Sequence, residues 1–116
     1  MAKQRSELLQ GTLEMMVLKT LAQEPTHGWG LSVRIEQMSQ GVFCINQGSL
    51  YPALQRLKRK GLITDEWRPS ENNRRAKYYQ LTAGGRKQLA ASTRTWTRYA
   101  EAVFKILGAA EAGATA

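Results

Sequence analysis

The chain has 116 residues, among them 17 lysines and arginines against 9 acidic residues, for a formal net charge of +8. Length of this kind sets one compact domain with a modest core, and the charge points to a polyanion such as nucleic acid, or to an anionic surface. Cys44 is the only cysteine, which excludes a disulfide framework and a cysteine-based zinc cluster. No apolar run approaches the roughly 20 residues of a membrane span, and residues 1–7 lack the apolar core of a signal peptide. The expected setting is the cytoplasm, with no membrane partner.

Leu9, Leu13, Met16, Val17 and Leu21 recur at helical spacing and predict an amphipathic helix over about residues 9–23, closed by Pro25. His27-Gly28-Trp29-Gly30 opens a second helix with apolar positions Leu31, Ile35 and Met38, reaching to near Gly41. His27 reads as its cap or as a packing residue. Residues 42–45 are a brief strand or a packed turn, and Cys44, lying in this apolar stretch, is expected to be buried and inert.

A third helix starts at Asn46, a good N-cap because its side-chain oxygen accepts from first-turn amides. Leu50, Leu54 and Leu57 fall within about 60° of one another on a helical wheel and must face a core. Gly48, Gln55 and Arg59 point the opposite way, flanked by Ser49 and Arg56 on one side and by Tyr51 and Lys58 on the other. Pro52 removes a helical amide, a local penalty tolerable on an outward face near the first turns. Gly61 is the expected stop.

Residues 62–67 read as a strand, 68–75 as a turn-rich basic loop and 77–81 as the returning strand, a hairpin stable only when packed on helices. Thr82 can cap a last helix to about Leu107, with Leu89, Trp96, Tyr99, Val103 and Ile106 forming a seam that Ser92 and Ala100 interrupt. A helix that runs past an already complete domain needs a surface for its seam, and a second copy of the chain would supply it. The fold class expected is mainly α with a small β-hairpin wing: a winged helix-turn-helix over residues 1–82, a dimerisation helix over 83–108 and a fraying tail over 109–116.

Residues 55–87 hold ten basic and three acidic side chains, nearly all of the charge excess. Clustering of this kind beside a capped helix is an electrostatic footprint for double-stranded DNA. In a helix-turn-helix the N-terminal part of the second helix reaches base edges. Gln47 and Ser49 are the candidate base readers, and Gly48 lets the backbone approach. Tyr51, Arg56 and Arg59 suit the phosphate backbone. Asn72, Asn73, Arg74 and Arg75, with Lys77 at the edge, form a loop suited to a minor groove or to phosphates.

No catalytic constellation is present: His27 is the only histidine, the glycines lack phosphate-loop spacing, and neither a metal nor a cofactor is expected. Trp96 reads either as a plain interface anchor or, doubled across a dimer, as the wall of a slot for a planar apolar effector. Two other classes remain as alternatives: a winged-helix module for protein or RNA, and a ligand sensor whose DNA binding is secondary.

Gly48-Ser49-Leu50-Tyr51-Pro52-Ala53-Leu54, followed by Arg56-Leu57 and Gly61-Leu62-Ile63, resembles the signature of PadR-type transcriptional regulators. His27-Gly28-Trp29-Gly30 and Arg75-Ala76-Lys77-Tyr78-Tyr79-Gln80-Leu81-Thr82 with Gly85 match as well. The resemblance spans about residues 8–107. It implies a homodimeric repressor that binds a palindromic operator and is released by a small molecule or a stress signal. The single last helix is similar to that of the short subfamily, in which Trp96 takes the place of an interface aromatic used by some members for planar drugs. Lys58, Arg59 and Lys60 depart from the acidic residues often found there, which favours backbone contact.

Overall fold

A computed structural model describes the backbone of residues 2–108 and the side chains of residues 11–108. Leu9 and the tail over 109–116, both assigned from sequence, lie outside the described side chains. Seven elements follow in order: α1 (Ala2–Gln23), β1 (Thr26–His27), α2 (Gly28–Met38), α3 (Gln47–Arg59), β2 (Ile63–Pro69), β3 (Arg75–Leu81) and α4 (Ala83–Leu107). This is the winged helix-turn-helix arrangement followed by one long helix.

Three helix starts use the side chains that chemistry selects for them. The Ser49 amide donates to Asn46 Oδ1 at 2.8 Å, the Gly30 amide to His27 Nδ1 at 3.0 Å and the Gly85 amide to Thr82 Oγ1 at 3.0 Å. Each satisfies one of the amides that a helix leaves without an internal acceptor. Gly61, at φ 75°, turns the chain out of α3 in the left-handed region.

The core lies where α1, α2 and α3 meet one face of the sheet. Val17, Leu18 and Leu21 of α1 and Leu31 and Ile35 of α2 are buried there. They pack with Leu50, Ala53, Leu54 and Leu57 of α3 and with Ile63 and Tyr79 of the sheet. The α3 stripe thus faces inward as its spacing predicts.

Several features differ from the sequence reading, and α1 begins at Ala2 rather than near residue 9. The sheet has a third strand: β1 pairs with β3 through Thr26↔Tyr79 and His27↔Tyr78, giving the order β1-β3-β2. Two residues carry no periodicity, so only the open edge of β3 reveals this strand. The hairpin is longer than expected, because β2 runs to Pro69 and β3 begins at Arg75. The loop is therefore residues 70–74, closed by a 2.7 Å bond from the Ser70 amide to the Arg74 carbonyl.

Residues 42–45 form no strand, and Cys44 is exposed rather than buried. The reason is the left-handed turn at Gln40 and Gly41 (φ 53° and 84°), which carries the following residues outside the core. Leu89, expected on an intersubunit seam, is half-buried against the chain's own core and also borders an open groove. It sits only two turns into α4, where that helix still lies over α1 and the sheet. Trp96, Tyr99, Val103 and Ile106 remain exposed, together with Phe104 and Leu107.

Tyr79 shows what this packing does to a titrating group. Burial, with smaller contributions from Tyr51 and Asp65, pushes its phenol from near 10 up to about 12. The shift favours the neutral form, so the stabilisation is fully present below pH ~10 and is lost as pH rises toward ~12. An alkaline absorbance titration should show one late-ionising tyrosine, and Tyr79→Phe should remove that step. Titration of every tyrosine near 10 in the folded protein would contradict the assignment. Among the described residues, no helix is long and apolar enough to cross a membrane.

Candidate nucleic-acid interface

The outer side of α3 displays Gly48, Ser49, Tyr51 and Arg59, all exposed. Pro52 is exposed between the two leucines that anchor the helix, so its missing amide falls on the solvated side.

Two residues expected on this outer surface are engaged elsewhere. The Gln47 side-chain amide donates to Ser32 Oγ at 2.9 Å and lies 3.5 Å from the Gly28 carbonyl. Gln47 is thereby tied back onto α2, where it braces the helix-turn-helix angle. Arg56 Nε donates to Glu14 Oε2 at 2.7 Å, and Lys60 Nζ to Glu14 Oε1 at 3.0 Å. Glu14 is nearly covered, with a side chain 12 % exposed. Arg56 therefore belongs to a charged joint between α1 and α3, not to the free outer face. A carboxylate with little access to water holds a guanidinium more strongly than solvent does.

The hairpin register divides the wing into two faces with different charge. Asp65, Trp67 and Pro69 stand opposite Tyr79, Lys77 and Arg75, and this face meets α3 through Asp65, which bonds Lys58, and through buried Tyr79. Glu66 and Arg68 stand opposite Tyr78 and Ala76 on the other face. On that far face the cations are matched. Arg68 bridges Glu66 at 2.9 Å and lies 5.1 Å above the Tyr78 ring. His27 meets Tyr78 edge-on at 5.1 Å, and its Nε2 lies 3.4 Å from Glu71. Because Nδ1 accepts the Gly30 amide, Nε2 is the nitrogen that carries hydrogen toward Glu71. The Glu71 carboxyl is held below its ordinary value, chiefly by a backbone hydrogen bond and then by His27.

On the near face the cations outnumber the anions. Lys58 of α3 and Lys77 of β3 share Asp65, at 3.0 and 3.7 Å, and Arg75 adds a third positive charge. Arg59 and Arg74, both exposed, have no ion pair among the described residues. Part of the surplus positive charge therefore lies on the outer side of α3 and the near face of the wing. Such a surface suits a phosphate backbone, since each phosphate neutralised releases a counterion.

Asn72 and Asn73 shape the loop. Asn72 Oδ1 accepts from Ser70 Oγ at 2.7 Å, and Asn73 occupies the left-handed region at φ 63°, which asparagine tolerates. Sequence reasoning missed Glu14, Asp65 and Trp67. Strand parity with buried Ile63 would have put Asp65 and Trp67 on the near face, but Glu14 had no signal without the fold.

A second feature is apolar. Trp96, Tyr99, Val103 and Phe104 of α4 with Gly11 and Met15 of α1 line an open groove of about 920 Å³. Trp96 also borders a second groove of about 450 Å³, beside Met38, Phe43 and Leu89. Sequence reasoning named Trp96 here and overlooked Phe104. Among the described residues no group of three or more His, Cys, Asp or Glu side chains could hold a metal.

A three-helix core, a capped outward helix and a hairpin with one cationic face define a winged helix-turn-helix regulator of transcription. The model of the transcriptional regulator PadR-like family matches residues 17–91, and the chain belongs to that family. Its members are DNA-binding regulators rather than enzymes.

A PadR-like transcriptional regulator of Bacillus cereus has a similar structure, with a TM-score of 0.74 and 29 % identity over 87 % of this chain and 96 % of that one. Protein X of Lysinibacillus sphaericus is 25 % identical over 85 % of this chain and 91 % of its own length. A transposon protein of Streptomyces fradiae is 37 % identical over 79 % of this chain, which spans only 25 % of that protein.

Proposed function

We propose that the chain is a cytoplasmic repressor that binds a palindromic operator as a homodimer. The observation that carries this reading is the unmatched positive charge shared by α3 and the near face of the wing. In this reading residues 1–82 bind DNA and 83–108 form the dimer. Ser49 reads base edges, with Gly48 allowing close approach. Tyr51 and Arg59 hold phosphates, and Arg74, Arg75 and Lys77 follow the backbone beside the groove, presented by the turn that Asn72 and Asn73 shape. Gln47 and Arg56 stand outside this set because their polar ends are already bonded.

The exposed apolar side chains of α4 support dimerisation, since a lone helix with Trp96, Tyr99, Val103, Phe104, Ile106 and Leu107 in water would be costly. The groove beside Trp96 has the size and lining for a planar apolar effector.

The test is to select bound fragments from genomic DNA and titrate the preferred duplex against an unrelated one at matched salt. Strong preference for one palindrome is the expected result. Arg74→Ala with Arg75→Ala should weaken binding to both duplexes and lower the salt slope by up to about 0.9 for each phosphate no longer neutralised. Equal, weak binding to every duplex would overturn the reading in favour of a protein-interaction module.

A further inference from the structure

Trp67 is unexplained by the core and by the charge pattern. The indole is 56 % exposed although its strand neighbour two positions back, Asp65, is nearly covered. It is not simply stranded in water. Lys77, its direct cross-strand partner, places Nζ 5.2 Å from the ring centre, and Arg75 places its guanidinium carbon 5.5 Å from it. Both distances lie within the roughly 6 Å over which a ring's quadrupole attracts a cation. The two cations are the direct and diagonal neighbours that a pleated pair brings together on one face.

Resting on the DNA-binding reading above, we propose that Trp67 is a positioning residue for DNA. Its indole holds the Arg75 and Lys77 cations extended toward the phosphates on the near face of the wing. Long basic side chains on a hairpin are otherwise free to wander, and ordering them on binding costs conformational entropy. A flat ring under two cations removes part of that freedom in advance without neutralising either charge, which a carboxylate would do.

The two faces of the wing carry the contrast. On the far face Arg68 also lies over a ring, that of Tyr78, but Glu66 cancels it at 2.9 Å. On the near face Asp65 reaches Lys77 only at 3.7 Å and is itself engaged by Lys58 at 3.0 Å. Arg75 has the indole and no carboxylate among the described residues. The chain thus fixes the near-face cations with an uncharged platform and leaves their charge available.

The experiment compares wild type, Trp67→Leu, Trp67→Phe, Arg75→Ala/Lys77→Ala and the triple variant for binding to the selected operator across a salt series. Trp67→Leu should lose roughly tenfold in affinity, the scale of ordering two long side chains on binding, and lower the salt slope. Trp67→Phe should recover most of both, and Trp67→Leu should cost little more once Arg75 and Lys77 are gone.

A Trp67→Leu loss that persists in the Arg75→Ala/Lys77→Ala background, or that leaves the salt slope unchanged, would overturn positioning in favour of direct contact by the indole. In the DNA-free protein, proton NMR should show upfield ring-current shifts of the Lys77 side chain that vanish in Trp67→Leu; their absence would overturn the platform itself. Failure of the wild-type protein to prefer any operator would instead overturn the functional reading, whatever the ring currents show.

Discussion

Gly85→Ala should destabilise the protein by about 3 kcal/mol or more, because a β-carbon there would collide with the Leu62 carbonyl oxygen and the Leu81 side chain. The obstacle is backbone, so no rotamer change relieves it. The first turn of α4 is bound to the same place through a Thr82 amide bond to the Leu62 carbonyl at 3.1 Å and a Thr82 hydroxyl bond to the Gly61 carbonyl at 2.8 Å. Moving α4 outward would strain both. Gly84→Ala is the built-in control. Its β-carbon would meet nothing nearer than the Thr82 hydroxyl at 3.6 Å, an ordinary contact. Alanine is also the better helix former by up to about 1 kcal/mol. Denaturant titration should therefore move the two midpoints in opposite directions. A Gly85→Ala protein as stable as wild type would show that α4 does not seat against the end of β2 in this way.

Removal of the Glu14 carboxylate is the second large effect. Glu14→Ala should cost about 2 kcal/mol, within the range for losing a charge-assisted bond and leaving a half-covered guanidinium without its partner. The Lys60 arm adds little, since that side chain is 56 % exposed and an exposed pair is worth less than about 1 kcal/mol. Lys60→Ala should accordingly be nearly silent, whereas Arg56→Ala should follow Glu14→Ala. The double variant of Glu14 and Arg56 should be less damaged than the sum of the singles, because neither charge is then left alone. Additive losses from thermal or denaturant unfolding would show that the two side chains are not coupled. The functional consequence has its own sign. With Glu14 gone, Arg56 is free to swing to the outer side of α3, so DNA affinity should hold or rise while stability falls. A protein that loses DNA binding in proportion to stability would mean that the joint chiefly aims α3.

The legible parts of this chain were those governed by local rules. Asn46, His27 and Thr82 announced three helix starts because a capping side chain acts within three residues of itself. The α3 leucines announced their inward face because a stripe at helical spacing has only one way to leave water. Ser49, Tyr51, Arg59 and Arg74 were placed on the exposed surface by the same periodicity and by turn composition, and they are exposed in the fold. The resemblance carried by the Leu-Tyr-Pro segment extended that local reading to a family, which the match over residues 17–91 shows.

Tertiary structure decided whatever depends on a partner distant in sequence. The helical wheel points Arg56 toward the phosphate backbone, yet a carboxylate 42 positions earlier bonds it, and no periodicity encodes that meeting. Gln47, expected at base edges, is exposed and also bonds to Ser32, 15 positions back on the neighbouring helix. Cys44 looked buried from its apolar neighbours, but the turn at Gln40 and Gly41 carries it outside. Leu89 reads as part of the α4 seam, and because α4 lies over the core for its first turns it also packs on the chain's own core. The chain by itself determined the four helices and the hairpin, three helix caps, the inward stripe and the surplus of positive charge. Only the fold decided which charges cancel, because cancellation depends on distance and on access to water. In this fold Arg59, Arg74 and Arg75, on the outer side of α3 and on the wing, are among the cations left without a carboxylate among the described residues.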